Sequence, residues 1–294
     1  MTGTLLSFSA MAVSIRELSA TLSIMEILSV RSAAGLLILG ALLALRPGLR
    51  HDLDLTRLPL HVLRNSIHFG SQYLWATSLL LLPLSTVFAL EFTMPAWTML
   101  MASLFLGERM TRSRIGAVVL GLLGVTVILR PGIETFHPAA LIVLAAALGY
   151  SAQNIATKKL TVTQSTFAIV LWMNVIQLPL GLLGADPWFV TRLGLHEVPA
   201  LAGLGIAGLS AHYCMSNAFR AGDASLVVPL DFLRIPLIAV VGWWLYGEPL
   251  DLIVFAGAGI IVAGLLWNLR SEARSAPAVA ALPMALGQAG SSAS

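Results

Sequence analysis

The sequence predicts an all-α integral membrane protein, with ten transmembrane helices arranged as two inverted five-helix repeats. Three observations carry that expectation. The first is composition: 57% of the 294 residues are hydrophobic and only 11% are charged, where soluble domains carry about 25% charge. The second is an internal repeat. Shifted by 140 positions, Tyr73 meets Tyr213, Ser85 meets Ser225, Glu91 meets Asp231 and Gly107-Glu108 meets Gly247-Glu248. Pro59 and Pro199, Gly124 and Gly264, and Leu129-Arg130 and Leu269-Arg270 hold the same register. A repeat this long in a chain this apolar is a statement about the fold. The third is the placement of lysine and arginine.

A helix crosses the hydrocarbon core with about 20 apolar residues. On that rule, spans lie near 3–18, 24–45, 58–80, 83–106, 114–130, 138–157, 165–185, 198–220, 224–246 and 251–269. The first is short, as a span is when its upstream residues are missing. Turn signals separate the others: Arg-Pro-Gly at 46–48 and 130–132, Leu-Pro at 82–83 and Asp-Pro at 186–187. The halves are 1–132 and 133–270. The Ala-, Ser-, Pro- and Gly-rich stretch 271–294 has no periodicity and reads as a disordered cytoplasmic tail.

Orientation follows from the cations. Loops after even-numbered spans, with the C-terminus, hold eleven: Arg46, Arg50, Arg57, Arg109, Arg112, Arg114, Lys158, Lys159, Arg220, Arg270 and Arg274. Loops after odd-numbered spans hold three, Arg16, Arg130 and Arg192. Both termini are therefore expected in the cytoplasm, with the protein in a bacterial-type inner membrane. Five spans per half is an odd number, so the halves lie in opposite orientations. A net charge of +3 on this scale does not read as nucleic-acid binding. The single cysteine, Cys214, excludes an intrachain disulfide and reads as a packed thiol. No lysine or arginine precedes Arg16, so the basic region of a cleavable signal is missing.

Polar groups in hydrocarbon are costly and face the bundle interior. His61, Asn65, His68 and Gln72 recur at steps of four, three and four residues, one stripe of the third span, and Tyr73 follows. The sixth span repeats the device with Tyr150, Gln153, Asn154 and Thr157, and the eighth with His212, Tyr213, Ser216 and Asn217. We read these stripes as the wall of a polar substrate cavity, interhelical hydrogen bonding being the plainer alternative. Two histidines alone make no metal site, and no cofactor is expected. Trp97, beside the helix-bending Pro95, is a further candidate for the cavity wall. The charges within spans are Glu26, Arg31, Arg64, Glu91, Asp231 and Arg234. Arg64, a turn from the cytoplasmic side, is placed to snorkel. Asp231 and Arg234 can pair at i, i+3; Glu91 has no local partner. Glu91 and Asp231, with Arg234, are the candidates for proton or ion coupling. The Gly-Glu steps read as hinges, because a glutamate at a helix C-terminus opposes the macrodipole and is better placed bonding to the start of the next helix.

The run from Leu90 to Gly132, with Pro95, Gly107-Glu108, Arg114-Ile115-Gly116, Gly121 and Gly124, resembles the EamA-type repeat of the drug/metabolite transporter superfamily. Pro229 to Gly264, with Pro236 and Gly247-Glu248, resembles the second copy. The resemblance implies ten helices in two inverted halves, cytoplasmic termini, and ATP-independent export or exchange of small metabolites through a cavity lined by helices 1, 3, 4, 6, 8 and 9. Within the superfamily, the YddG-type exporters of aromatic and other neutral amino acids are the suggested kind. A cavity of Gln, Asn, His and Tyr, largely uncharged, suits a zwitterion better than a polyanion. Nucleosides, polyamines and toxic compounds are the alternative cargoes. An integral membrane enzyme would need a nucleophile or metal constellation, and the sequence has no G-x-S-x-G, H-E-x-x-H or P-loop pattern. The partners expected are thus a small molecule, the bilayer and protons, with the oligomeric state open.

Overall fold

The computed structural model describes residues 2–53, 55–107, 110–130, 137–160, 162–221 and 233–275. Its helices are α1 (Thr2–Leu18), α2 (Ile24–Leu45), α3 (Leu58–Leu81), α4 (Leu84–Glu91), α5 (Met94–Leu106), α6 (Arg112–Leu129), α7 (Ala139–Leu160), α8 (Thr166–Leu182), α9 (Val198–Ala221), α10 (Arg234–Tyr246) and α11 (Leu252–Ser275). Among the described residues, five segments are long and apolar enough to cross a membrane: Ile24–Leu45, Leu84–Phe105, Arg112–Leu129, Ala139–Leu160 and Leu252–Arg274. Thr166–Leu182 and Arg234–Tyr246 are shorter apolar helices, and Val198–Ala211 is an apolar stretch of the 24-residue α9. α3 has the length of a span at 24 residues, but its polar stripe dilutes its hydropathy. Helix α11 continues to Ser275, so part of the stretch read as tail is helical; 276–294 lie outside the described residues.

The expected fourth span is broken in two. Pro95 sits in the first turn of α5 and has no N–H to bond the carbonyl of Glu91, so α4 stops there. The Thr93 hydroxyl donates to Leu90 O at 2.7 Å, satisfying a carbonyl the break releases. Both α5 and α10 end on a glycine in the left-handed region, Gly107 at φ 68° and Gly247 at φ 65°. That conformation penalises any side chain with a Cβ, which explains why glycine recurs at this step of the repeat. Of the two glutamates that follow, Glu108 lies outside the described residues, and Glu248 does not serve the next helix in the way the sequence suggests. Glu248 instead accepts from the backbone N–H of Leu84 at 2.8 Å, at the start of α4, and pairs with Arg16.

The main packing partners are α6 with α11, α3 with α7, α1 with α9 and α2 with α8. Exchanging the halves maps α6·α11 and α2·α8 onto themselves, and α3·α7 onto α9·α1. Each pair is antiparallel. In α2·α8, Gly35 faces Asn174, Arg31 bonds Gln177, and Gly181 faces Ser29 and Met25. In α6·α11, Gly116 faces Trp267, Gly124 faces Gly257, and Ile128 also reaches Gly257. Ion pairs Arg114–Glu272 and Arg130–Asp251 hold the two ends of that second pair.

Burial is inverted relative to a soluble protein. Leu37, Leu104 and Trp244 are at least 76% exposed, whereas His61, Asn65, Ser32 and Gln177 are fully buried. An apolar outside around a polar inside is what a hydrocarbon solvent selects.

Candidate functional site

One hydrogen-bonded network runs through the interior, from α2 across α8 and α3 to α7. Arg31 Nη2 donates to Gln177 Oε1 at 2.6 Å. That fixes the Gln177 amide, whose Nε2 then faces His68 Nδ1 at 2.6 Å and Asn65 O at 3.4 Å. An amide nitrogen only donates, so His68 Nδ1 accepts and the ring proton sits on Nε2. On the next turn of α3, Arg64 Nη1 donates to Asn65 Oδ1 at 2.5 Å and Arg64 Nε to Thr157 Oγ1 at 3.1 Å. With its amide oxygen toward Arg64, Gln153 accepts from Nη2 at 2.8 Å and from Thr157. Tyr150 completes this wall, its ring tilted against His68 at 5.7 Å between centroids.

Two guanidiniums therefore lie inside the bundle, Arg31 at 4% and Arg64 at 6% exposure. Among the described residues, neither is ion-paired with a carboxylate. Arg64 does not snorkel: its hydrogen bonds turn it inward, to Asn65, Thr157 and Gln153. The interior is thus cationic rather than largely uncharged. Polar atoms with no hydrogen-bond partner among the described residues include Arg31 Nε, Asn65 Nδ2 and Gln72 Oε1.

A second cluster joins the halves. Glu91, at the α4/α5 break, accepts from Trp75 Nε1 at 2.8 Å and lies 3.8 Å from Arg234 Nη1. The Arg234 guanidinium is held over the rings of Phe8, Phe92 and Phe88 at 4.5, 4.9 and 5.3 Å, a cation–π setting. Glu91 has a partner after all, one 143 residues away in sequence (234 minus 91) and so invisible to local spacing. The suggested partner of Arg234, Asp231, lies outside the described residues.

A third cluster braces the end of the bundle where α1 stops and α2 starts. Arg16 donates to Leu79 O and Leu82 O, each at 2.9 Å, pairs with Glu248 and covers Tyr246 at 4.6 Å. Glu26 closes a capping box with Ser23, pairs with Arg192 and accepts from Asp186 N at 3.1 Å. In the loop before α9, Gly194 N at 2.8 Å and the Thr21 hydroxyl at 3.0 Å donate to Glu197. These bonds, Gly194's foremost, hold its carboxyl below the usual carboxylate range. Its bracket on Thr21 is therefore kept at neutral pH and lost as acid protonates Glu197.

Of the residues named from sequence, His61, Asn65, His68, Gln72 and Gln153 are buried and Tyr150 half-buried inside the bundle. Asn154 reaches Met94 Sδ at the helix break, 3.7 Å away. Tyr73 leaves the stripe and is 38% exposed. Trp97 lines an apolar crevice with Thr93, Gly121, Val125 and Leu144, apart from the polar network. The backbone of His212, Tyr213, Ser216 and Asn217 belongs to α9, but their side chains lie outside the described residues. Sequence reasoning missed Gln177 and gave Arg31 no role. The available signal was Asn174 and Gln177, spaced i, i+3 in an otherwise apolar helix.

The EamA-like transporter family matches residues 1–130 and again residues 137–270. Among curated proteins, an S-adenosylmethionine uptake transporter of Rickettsia felis is 26% identical over 77% of this chain and 76% of its own. A riboflavin transporter of Rhizobium johnstonii is 33% identical over 68% of this chain and 66% of its own. A pseudopaline exporter of Pseudomonas aeruginosa is 27% identical over 90% of this chain and 93% of its own. A protein of known crystal structure superposes with a TM-score of 0.61 at 18% identity, over 95% of this chain and 99% of that one, a likeness of fold. With both halves matched, this chain belongs to the EamA-like transporter family of the drug/metabolite transporter superfamily and is a multi-pass membrane transporter.

Proposed function

We propose that the protein is a ten-span secondary transporter working by alternating access, its halves 1–132 and 133–270 inverted across the inner membrane with both termini, and the tail 271–294, in the cytoplasm. The observation that carries this reading is the antiparallel packing of repeat mates α2 with α8 and α6 with α11, around a polar network at mid-depth. Inverted mates with a polar midplane, and a discontinuous helix beside it, are the parts that rocking carriers use. The proposed cargo is a small metabolite of amino-acid type. Its ammonium would meet the acceptor oxygens of Gln72 and Asn154, and its carboxylate the donors of the network. S-adenosylmethionine, the cargo in one relative's name, itself ends in an α-amino acid. Named relatives include uptake carriers and an exporter, so export here follows a cytoplasmic surplus rather than a built-in direction. Counterflow in proteoliposomes tests the reading. Vesicles loaded with unlabelled L-phenylalanine, L-threonine or S-adenosylmethionine should transiently accumulate the labelled compound. Protein-dependent accumulation of none of them would overturn the amino-acid cargo.

On the same reading, the bracing around Arg16 and Glu248 is the closed outer gate, and the Glu91–Arg234 pair is a contact between halves that breaks in each cycle. Protonation of Glu91 would release Arg234, which makes Glu91 the proposed coupling carboxylate, with Asp231 its mate by repeat. Glu91→Gln should then transport at a rate that no longer varies with pH. An unchanged pH profile would exclude coupling through Glu91. Glu248→Ala removes both the acceptor of Leu84 N and the partner of Arg16. It should raise labelling of a cysteine placed at Leu82 by an impermeant maleimide added outside, and equal labelling in the parent background would exclude the gate.

A further inference from the structure

We propose that Arg31 and Arg64 are the anion-binding end of the transport site, and that the cargo is recognised by a carboxylate. The inference rests on the carrier reading above and deepens it, naming the two residues that take the carboxylate. Two observations support it. Both guanidiniums are more than nine-tenths buried at the depth of the helices, and among the described residues neither faces a carboxylate. A charge at mid-helix is expensive in a bilayer, and neutral amide and hydroxyl partners leave it without a counter-ion. The network also leaves donors over: Arg31 Nε and Asn65 Nδ2 are buried with no acceptor among the described residues, and the Tyr150 side chain lies within electrostatic reach of Arg31. Unspent donors beside two unneutralised cations fit an oxyanion. A planar carboxylate matches guanidinium geometry better than any other small anion group.

Gln177 makes the idea separable from a structural role. It is now the neutral acceptor of Arg31 at 2.6 Å. Gln177→Glu would put a carboxylate in that place, neutralise Arg31 from within and compete with any carboxylate arriving as substrate. A purely structural network would keep its substrate preferences when given this better partner.

The experiment uses the purified full chain in detergent, following thermal unfolding with matched probes: L-phenylalanine against L-phenylalaninamide, S-adenosylmethionine against adenosine, succinate against succinamide, and inorganic phosphate. Stabilisation by one or more carboxylates, absent with the amide or truncated mate, is expected. Gln177→Glu should weaken that response by about tenfold or more in apparent Kd, the scale of one charge-assisted bond, while unfolding no earlier than the parent. Arg64→Lys should retain more of it than Arg64→Gln. Equal stabilisation by acid and amide overturns the proposal, as does no response to any carboxylate or an unchanged response in Gln177→Glu. Phosphate alone stabilising the protein overturns the carboxylate assignment in favour of a phosphorylated cargo. Failure of the carrier reading is distinct: carboxylates would stabilise the parent but none would show counterflow in liposomes.

Discussion

Replacing Gln177 with leucine should reduce transport by about 30-fold or more while leaving a folded bundle. Leucine fills a similar volume, so packing between α8 and its neighbours α2 and α3 is largely kept. What is lost is the acceptor of a charge-assisted bond from Arg31 and the donor to His68, leaving a buried guanidinium N–H unmet. A hydrogen bond to a charged group contributes about 1.5–3 kcal/mol, and an abandoned buried partner costs a further 1–3 kcal/mol or so. Part of that loss falls on stability and part on the geometry of the site. Initial rates of counterflow, normalised to folded protein by size-exclusion profile, would measure the second part. A rate within twofold of the parent would mean that the network is scaffolding only.

The largest effect on folding is expected at the crossing of α6 and α11. A Cβ on Gly124 would lie 2.6 Å from the carbonyl oxygen of Gly257 and 2.5 Å from Ile261 Cγ1. On the other side, a Cβ on Gly257 would lie 2.7 Å from Gly124 O. Backbone atoms cannot rotate away, so either helix must move. Close approach through small residues is how membrane helices gain contact, since lipid offers them no hydrophobic gain. Gly124→Val should therefore cost about 3 kcal/mol or more, beyond the usual overpacking range, and appear as loss of monodisperse protein after solubilisation. Gly259, where a Cβ meets nothing within 4 Å, is the control: Gly259→Ala should behave as the parent. If Gly124→Val were as stable as Gly259→Ala, the crossing would be looser than described.

The sequence foretells most of this architecture because its strongest signals are local or periodic. Apolar runs mark helices, cation placement marks loops, and the offset that aligns Gly107 with Gly247 and Gly124 with Gly264 marks the repeat. The buried stripe of α3 was equally legible, since His61, Asn65, His68 and Gln72 share one face. Contacts between distant helices were not. Local spacing offered Asp231 to Arg234, whereas the fold brings Glu91, from the other half, to the same guanidinium. Arg64 near a helix end suggested snorkelling, and only the approach of α7, with Thr157 and Gln153, turns it inward. Local order offers Glu248 to the helix after it; the antiparallel, side-by-side packing of α10 on α4 gives it the N-terminus of α4 instead. In each case, the missing information was which helices are neighbours.

The central claim is that the polar network faces alternate sides of the membrane in turn. Gln72→Cys in a Cys214→Ser background places one thiol on the buried face of α3, a turn beyond His68. Labelling by a membrane-impermeant maleimide, in right-side-out and inside-out vesicles, reads its access from each side. The account predicts labelling from both sides, with the balance between them shifted when substrate is added. Labelling confined to one side, with or without substrate, would contradict it.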